Sequence, residues 1–293
     1  MRYLDPRNDL TFKKIFAERP HLLISFLNSV LPLDESQKIE SIEYLPAELI
    51  PAVPLFKYTI VDVRCKDIRG RQFIVEMQML WTNSFQNRVL FNASKAYVMQ
   101  LEKGEQYELL QPVFALSLVN QNFEPDPEKY FHHYKIVTVD EPRRQLEGLE
   151  FVFIELSKIK AKNLKEKALG ILWLRFLAEI KNMDESISQD FLEVPELKEA
   201  SEILFESGFT RIELDSYDRY WDNVRVENAL LSGALAEGKK LGEEIGKEMG
   251  KKDTTILFVF RSFDKGLSIS DISEIAQLPV GEVESILRES GRM

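Results

Sequence analysis

Apolar and polar residues alternate in two different ways along the chain. In the first half, helical spacing gives way to short runs with strand-like alternation, which predicts interleaved helices and strands. The predicted elements are helical turns over 9–31 with a break at Pro20, a strand over 39–45, two hairpin strands near 57–66 and 71–79, a helix over 84–103, and strands over 112–120, 132–139 and 149–156. Together they predict a mixed α/β domain over residues 1–160.

The second half has almost purely helical spacing. Helices are predicted over 163–182, 189–206 and roughly 215–263, and these form a helical region that we assign to residues 161–265. Residues 266–293 favour two short helices separated at "QLPV", an arrangement typical of a helix-turn-helix.

Four glycines recur every four residues in the last long helix, at Gly238, Gly242, Gly246 and Gly250. Each costs a helix about 1 kcal/mol relative to alanine. The pattern is typical either of a close helix–helix contact, which would fit a homodimer, or of a charged and marginal helix that acts as a linker. The sequence leaves both interpretations open.

The segment "IVDVRCKDIRGRQFIVEMQ", Ile60–Gln78, predicts a hairpin with carboxylates on both strands. If the strands are symmetric about the turn Asp67–Gly70, Asp62 lies opposite Glu76, and Gln78 points to the same face as Glu76. The residues expected on the opposite, packed face are Val61, Val63, Cys65, Phe73, Val75, Met77 and Met79.

Two carboxylates that face each other across a strand pair destabilise the sheet and raise each other's proton affinity. A divalent cation removes this repulsion, and carboxylate oxygens suit Mg²⁺ or Mn²⁺. The alternative is a solvated face on which Arg64 and Lys66 neutralise the two charges.

The pattern "DV…D..G…VEMQ" follows "NDLTFKKIF" and precedes "QNRVLFNASKAYVMQLEKGEQY". In this arrangement the chain resembles the PD-(D/E)xK nuclease superfamily, and more narrowly its recombination-promoting nuclease and transposase family. The resemblance covers most of the chain and is strongest over residues 5–120. It implies a restriction-endonuclease-like core of a helix, a mixed sheet and a second helix, and it implies metal-dependent DNA cleavage linked to recombination or mobile elements.

By position, the resemblance makes Asp62 and Glu76 ligands of Mg²⁺ or Mn²⁺. Asp9, in "NDLTFKKIF", matches an acidic residue that the family brings to the site from its N-terminal helix. Gln78 stands where the wider superfamily has a lysine. A glutamine can orient a water molecule by hydrogen bonding but brings no positive charge.

The missing charge can come from the following helix. Arg88, Asn92 and Lys95 are spaced i, i+4 and i+7 and form one stripe, which in this family context favours contact with DNA phosphates. From spacing alone, an ordinary polar helix face explains the stripe equally well.

Composition and charge limit how the chain could bind nucleic acid and in which compartment it would act. The chain has 293 residues, 44% of them hydrophobic, a net charge of -10 and one cysteine. The charge argues against coating nucleic acid by bulk attraction but leaves room for a local metal site. A polar N-terminus and the lack of a 20-residue apolar run predict a cytoplasmic protein with no membrane partner.

Two other functions remain open on this evidence. A nuclease fold that has lost catalysis would serve as a DNA- or protein-binding module, and Gln78 keeps that possibility open. A DNA-binding regulator would use the tail, but residues 268–293 hold five acidic and two basic residues. Because DNA-reading helices normally carry cations, the tail is better explained as a packing or assembly unit.

Overall fold

A computed structural model describes residues 2–49, 59–159, 168–181 and 187–293. The chain divides into two compact units, Met1–Val224 and Arg225–Met293. No helix in the described parts of the chain combines the length and the apolar character that crossing a bilayer requires.

The first unit contains helices and strands, whereas the second contains helices alone. The helices are α1 (Asp9–Phe16), α2 (Pro20–Val30), α3 (Asn83–Val98), α4 (Leu169–Glu179), α5 (Gln189–Leu192), α6 (Pro195–Ile203), α7 (Arg211–Asp264), α8 (Ile269–Ala276) and α9 (Val280–Glu289). The strands are β1 (Ile42–Tyr44), β2 (Glu48–Leu49), β3 (Thr59–Ile60), β4 (Val63–Asp67), β5 (Gln72–Gln78), β6 (Val113–Val119), β7 (Phe131–Val137) and β8 (Gln145–Glu155).

The first unit is built on a six-stranded mixed sheet in the order β1-β4-β5-β6-β8-β7. The β5–β6 and β6–β8 pairs are parallel, and the β1–β4, β4–β5 and β7–β8 pairs are antiparallel. β2 and β3 form a separate antiparallel pair. The predicted mixed α/β fold is therefore confirmed.

Both faces of the sheet are covered by helices. On one face Phe73 and Val75 of β5 join a core that includes residues of α1, α2, α4, α5 and α6. On the other face Ile74 packs against α3, which connects the parallel strands β5 and β6. Because side chains alternate along a strand, Glu76 lies on the α3 side together with Ile74.

Several predicted boundaries shift for physical reasons. α3 begins as predicted, with the Thr82 hydroxyl accepting from the Phe85 N–H at 3.2 Å, but it ends at Val98 rather than residue 103. Beyond the helix, the Gln100 side chain exchanges hydrogen bonds with the backbone of Gln111 at 2.8 and 3.0 Å, which draws the chain towards β6.

Two long predicted elements are interrupted. The helix predicted over 189–206 breaks into α5 and α6 where Pro195 starts α6, since proline cannot continue a preceding helix. The strand predicted over 57–66 breaks between β3 and β4, so Val61 packs with the α3 core whereas Val63 packs on the opposite face. The expectation that these two valines share a face was wrong. Residues 57–58, 163–167 and 182 of the predicted elements lie outside the described residues.

The first unit continues past residue 160. Trp173 of α4 is fully buried against Phe16 and Phe26, and the Leu4 N–H donates to the Leu204 carbonyl at 2.8 Å. The helices after the sheet therefore complete its core. The division into 1–160, 161–265 and 266–293 stays a prediction about domain limits.

The second unit has its own small core, formed by Val259, Ile272, Val283 and Leu287. Gln277 ends α8 with a φ of 56°, a left-handed conformation that turns the chain sharply before α9. The two short helices predicted for the tail are present as α8 and α9.

Candidate active site

The candidate residues meet at one edge of the sheet. β5, β6 and β8 are parallel, so their carboxyl ends lie together, and the antiparallel β4 starts at that same edge. Val63 pairs with Val75, which is the register predicted from the turn. Asp62 therefore precedes β4 beside Glu76, at the carboxyl edge where open α/β sheets commonly bind ligands.

Asp62 is partly exposed at the break between β3 and β4, and its carboxylate accepts from the Met77 N–H at 2.7 Å. Burial, and to a smaller degree the carboxylates of Glu76 and Asp9, raise the pKa of this carboxyl to about 7. The Met77 N–H and Lys13 oppose the shift without cancelling it. Asp62 thus sits in a local excess of negative charge.

Glu76 is 6% exposed and faces α3. The Asn92 amide donates to its Oε1 at 3.0 Å, and the Arg88 guanidinium lies 3.7 Å from its Oε2. Burial raises the pKa of Glu76, while Asn92 and Arg88 lower it in part. The pair Asp62–Glu76 therefore holds more negative charge than its neighbours compensate.

Two buried oxygens next to Glu76 have no hydrogen-bond partner in the part of the chain that the structure describes, namely Asn92 Oδ1 and Ser117 Oγ. Ser117 lies beside Glu76 in the β5–β6 register, and Asn92 contacts Glu76 directly. Each residue is 1% exposed. Such atoms are costly unless another group satisfies them, and a bound cation or water beside Glu76 would offset that cost.

Both ends of the Gln78 amide are engaged. Its Nε2 donates to the Leu80 carbonyl at 2.9 Å, and its Oε1 accepts from Arg88 at 2.6 Å. Arg88 therefore brings a guanidinium to the position where the superfamily has a lysine.

The three residues of the stripe on α3, Arg88, Asn92 and Lys95, each make different contacts. Arg88 reaches Gln78 and Glu76, whereas Asn92 is buried and donates to Glu76. Lys95 donates to the Leu49 carbonyl of β2, and burial lowers its pKa. Of the predicted phosphate-binding residues, Arg88 combines a charge with an exposed side chain beside the carboxylates.

The alternative in which neighbouring cations neutralise the carboxylates does not match the observed contacts. Arg64 donates to the Gln72 side chain at 2.9 and 3.2 Å, and Lys66 pairs with Glu43 at 3.0 Å.

Asp9 stands at the first turn of α1 and pairs with Lys13 at 2.8 Å. Its carboxylate is near enough to raise the pKa of Asp62. The structure thus places Asp9 in the vicinity of Asp62.

A buried polar network beside this edge was not anticipated from the sequence. Arg7 pairs with the carboxylate of Asp5 through two nitrogens and donates to Asn120 Oδ1 at 2.6 Å. The Asn120 N–H in turn donates to the Gln78 carbonyl at 2.9 Å. The segment "LDPRND" offered no signal for this role, since such polar runs before a helix are usually exposed.

The beginning of α7 completes the network. The Tyr217 hydroxyl accepts from the Asp5 N–H at 2.9 Å. The Tyr220 hydroxyl donates to the Arg7 carbonyl at 3.4 Å, and its pKa is raised by burial and by the carboxylates of Asp62 and Asp9. Residues more than 200 positions apart therefore share one wall of the site.

The donor set fits a hard divalent cation. Asp62 and Glu76 supply carboxylate oxygens, their pKa values are raised, and unpartnered oxygens lie beside Glu76. A cation at this edge would offset the excess negative charge. Among the described residues, no three His, Cys, Asp or Glu side chains converge on one point, so further ligands would be neutral oxygens of side chains, backbone or water.

The chain matches a known protein family. Residues 6–231 match the family described as PD-(D/E)XK nuclease family transposase. Searches of curated proteins and of solved structures found no match. The matched region contains the sheet, the carboxylate pair and the first part of α7. The chain therefore belongs to the PD-(D/E)XK nuclease family transposases.

Proposed function

We propose that the protein is a divalent-metal-dependent DNA endonuclease that hydrolyses phosphodiester bonds in recombination or in the movement of mobile elements. The observation that carries the proposal is the pair Asp62–Glu76, two carboxylates with raised pKa at the carboxyl edge of the sheet. Membership of a nuclease family supports the reaction class, and a carboxylate pair of this kind supports the use of Mg²⁺ or Mn²⁺.

Each residue has a distinct role in this proposal. Asp62 and Glu76 hold the cation, and Asn92 keeps the Glu76 carboxylate in place through its hydrogen bond. Gln78, fixed by the Leu80 carbonyl and Arg88, orients the attacking water. When bound, the cation lowers the pKa of water and stabilises charge on the phosphate.

Arg88 supplies the positive charge that Gln78 lacks. Its guanidinium lies beside both Gln78 and Glu76, and nearly half of its side chain is exposed. A phosphate at this edge would meet a planar fork of N–H donors, which matches phosphate oxygens. Asp9 supports the site through its negative charge beside Asp62, and Lys95 remains a proposed DNA contact further along α3.

Plasmid nicking by the 293-residue chain, with Mg²⁺ and with EDTA, tests the proposal. We expect cleavage in Mg²⁺ only, and loss of cleavage in both Asp62→Ala and Glu76→Ala. Glu43→Ala is the matched control, since Glu43 lies on β1 in an exposed pair with Lys66. Cleavage that survives both site substitutions would disprove the assignment.

A Mn²⁺ titration by calorimetry separates the nuclease from a fold that has lost catalysis. The nuclease should bind Mn²⁺, and Glu76→Ala should remove that binding. A protein that neither binds Mn²⁺ nor cuts DNA would be a binding module instead.

Location and assembly complete the proposal. We propose a cytoplasmic protein, because its single cysteine and acidic composition suit that compartment.

We also propose a homodimer through the C-terminal helices, since Leu241, Ile245 and Met249 of α7 are 49–61% exposed along one side. Sedimentation equilibrium of the wild type and of Ile245→Lys measures the assembly, and a monomeric wild type would contradict it.

A further inference from the structure

A concave surface lies on the flank of α3 away from the carboxylates. It is a cavity of about 340 Å³, open to solvent, between α3 and the strands β7 and β8. Its lining residues are Gln86, Asn87, Leu90, Tyr134, Phe151 and Phe153. The volume falls at the small end of the range for ligand pockets, about 300–1,000 Å³.

Aromatic rings form the floor and one wall of this cavity. Phe153 is 3% exposed and forms the floor, and Tyr134 stands perpendicular to it with ring centroids 5.8 Å apart. Tyr134 pairs with Phe151 across the β7–β8 ladder and is 43% exposed. An exposed tyrosine over a buried aromatic floor offers a flat apolar surface to a planar ligand.

The opposite wall is polar but uncharged. Gln86 and Asn87 project exposed amides from α3, and within the described chain neither amide has a hydrogen-bond partner. None of the six lining residues carries a charge. The cavity therefore suits a neutral, planar group with hydrogen-bonding edges, and it does not suit a phosphate.

A nucleobase has this chemistry. Bases stack on aromatic side chains, and the amides of asparagine and glutamine pair with base edges. In a duplex both faces of a base are covered by its neighbours, so only an unpaired base could enter the cavity.

The position of the cavity relates it to the proposed cleavage site. Residues advance by about 100° around a helix, so Gln86 and Leu90 lie on the side of α3 opposite Arg88 and Asn92. An α-helix is about 10–12 Å across with its side chains. One nucleic acid strand crossing α3 could therefore place a phosphate at Arg88 and a nearby base in the cavity.

We propose that this cavity binds an unpaired nucleobase of a single-stranded DNA segment next to the cleaved phosphodiester. The inference rests on the nuclease function proposed above, because it names the form of DNA that the same site would take. It assigns Tyr134 a stacking role and Asn87 a hydrogen-bonding role, and neither residue contacts the carboxylate site.

Binding without cleavage tests this inference separately from the nuclease function. The full-length chain carrying Glu76→Gln is mixed, in EDTA, with a fluorescein-labelled single-stranded 20-mer, and binding is followed by anisotropy. Removing a stacking ring typically costs about 1–3 kcal/mol, so Tyr134→Ala in this background should weaken binding about tenfold. Tyr134→Phe should bind as the parent does.

Matched variants make the result specific. Tyr107→Ala removes another tyrosine, 81% exposed and outside the cavity, and should change affinity by less than about twofold if stacking requires the cavity. Asn87→Ala, at an exposed helix position, should weaken binding about threefold, as expected for one hydrogen bond. The duplex form of the 20-mer should not distinguish Tyr134→Ala from the parent.

Equal affinities of Tyr134→Ala and Tyr107→Ala for the single strand would overturn the inference, as would the absence of binding by the parent. Failure of the nuclease function has a different signature. In that case wild-type protein would leave plasmid intact in Mg²⁺ although single-strand binding still depended on Tyr134.

Discussion

Two buried glutamates near the carboxyl ends of β5 and β8 have opposite surroundings. Glu155 is fully buried and accepts from Lys158 at 2.7 Å, from His132 at 2.8 Å and from the Phe123 N–H at 2.8 Å. Glu76 is almost as buried, yet the groups that stabilise its charge are one neutral amide and a guanidinium 3.7 Å away.

Their pKa values differ in direction. Burial alone would raise the pKa of Glu155, but hydrogen bonds from Lys158, Phe123 and His132 hold it below its usual range. Burial raises the pKa of Glu76, and its few partners do not reverse the shift. Two similarly buried carboxylates therefore differ because of their partners. The charge of Glu155 is compensated and the residue anchors a loop, whereas the charge of Glu76 is not compensated and remains available for a cation.

Breaking the compensated site should have the largest effect on stability. Glu155→Ala leaves Lys158 and His132 in a buried position without their carboxylate, which costs about 3–5 kcal/mol for a buried pair. Urea unfolding of the wild type and the variant measures the loss. A change below 1 kcal/mol would show that the Lys158 contacts to the carbonyls of Glu124, Asp126 and Lys129 suffice alone.

The uncompensated site should show the reverse behaviour. Glu76→Gln keeps the shape of the side chain and removes a buried charge, so we expect unchanged or slightly higher stability in EDTA. Cleavage should fall about a thousandfold, equivalent to about 4 kcal/mol in the barrier. Plasmid nicking and urea unfolding, measured on the same sample, give both numbers. A large loss of stability would mean that Glu76 is structural, like Glu155.

The pH dependence sharpens the contrast. The pKa of Asp62 is raised to about 7 in the folded protein, whereas an aspartate in an unfolded chain titrates at about 3.9. The folded state therefore binds more protons between these values, and the metal-free protein should lose stability as pH rises from about 4 to about 7.

Asp62→Asn should abolish this loss. In EDTA at pH 8 the variant should exceed the wild type in free energy of unfolding by on the order of 2 kcal/mol, a value reduced for the partial exposure of Asp62. At pH 4 the difference should vanish. Equal differences at both pH values would contradict the raised pKa.

Removing a positive charge from α3 should have the smallest effect among these substitutions. Arg88→Ala should slow cleavage about tenfold, equivalent to about 1.4 kcal/mol, because one exposed cation beside the site is lost. Lys95→Ala should slow cleavage less, because the Lys95 ammonium is directed to the Leu49 carbonyl. The order of the two variants in a nicking time course is the measurement, and a larger effect of Lys95→Ala would reverse the assignment.

Local sequence rules were sufficient for the hairpin and insufficient for its surroundings. The turn length gave the register that places Asp62 beside Glu76, because pairing in a tight hairpin is set by the turn. The break after β3 was missed, since alternation alone cannot distinguish one long strand from two short ones that bend at Val61.

Contacts between distant segments could not be read from the sequence. Arg7 reaches Asn120, and Tyr217 reaches Asp5 across more than 200 residues. Buried charged residues are rare, so a polar run such as "LDPRND" reads as surface until its partners are known. For the same reason the sequence did not predict the partners of Lys158, which are three backbone carbonyls and the Glu155 carboxylate.

The turn Asp67–Gly70 limits how this protein can change over evolutionary time. The Asp67 carboxylate accepts from the N–H groups of Arg69 and Arg71, and Gly70 adopts a φ of 80° that other residues rarely reach. Surface turns usually tolerate insertions and deletions. Here a single inserted residue that shifted β5 against β4 would move Glu76 to the opposite face of the sheet, so the proposed site would be lost although all of its side chains remained in the sequence.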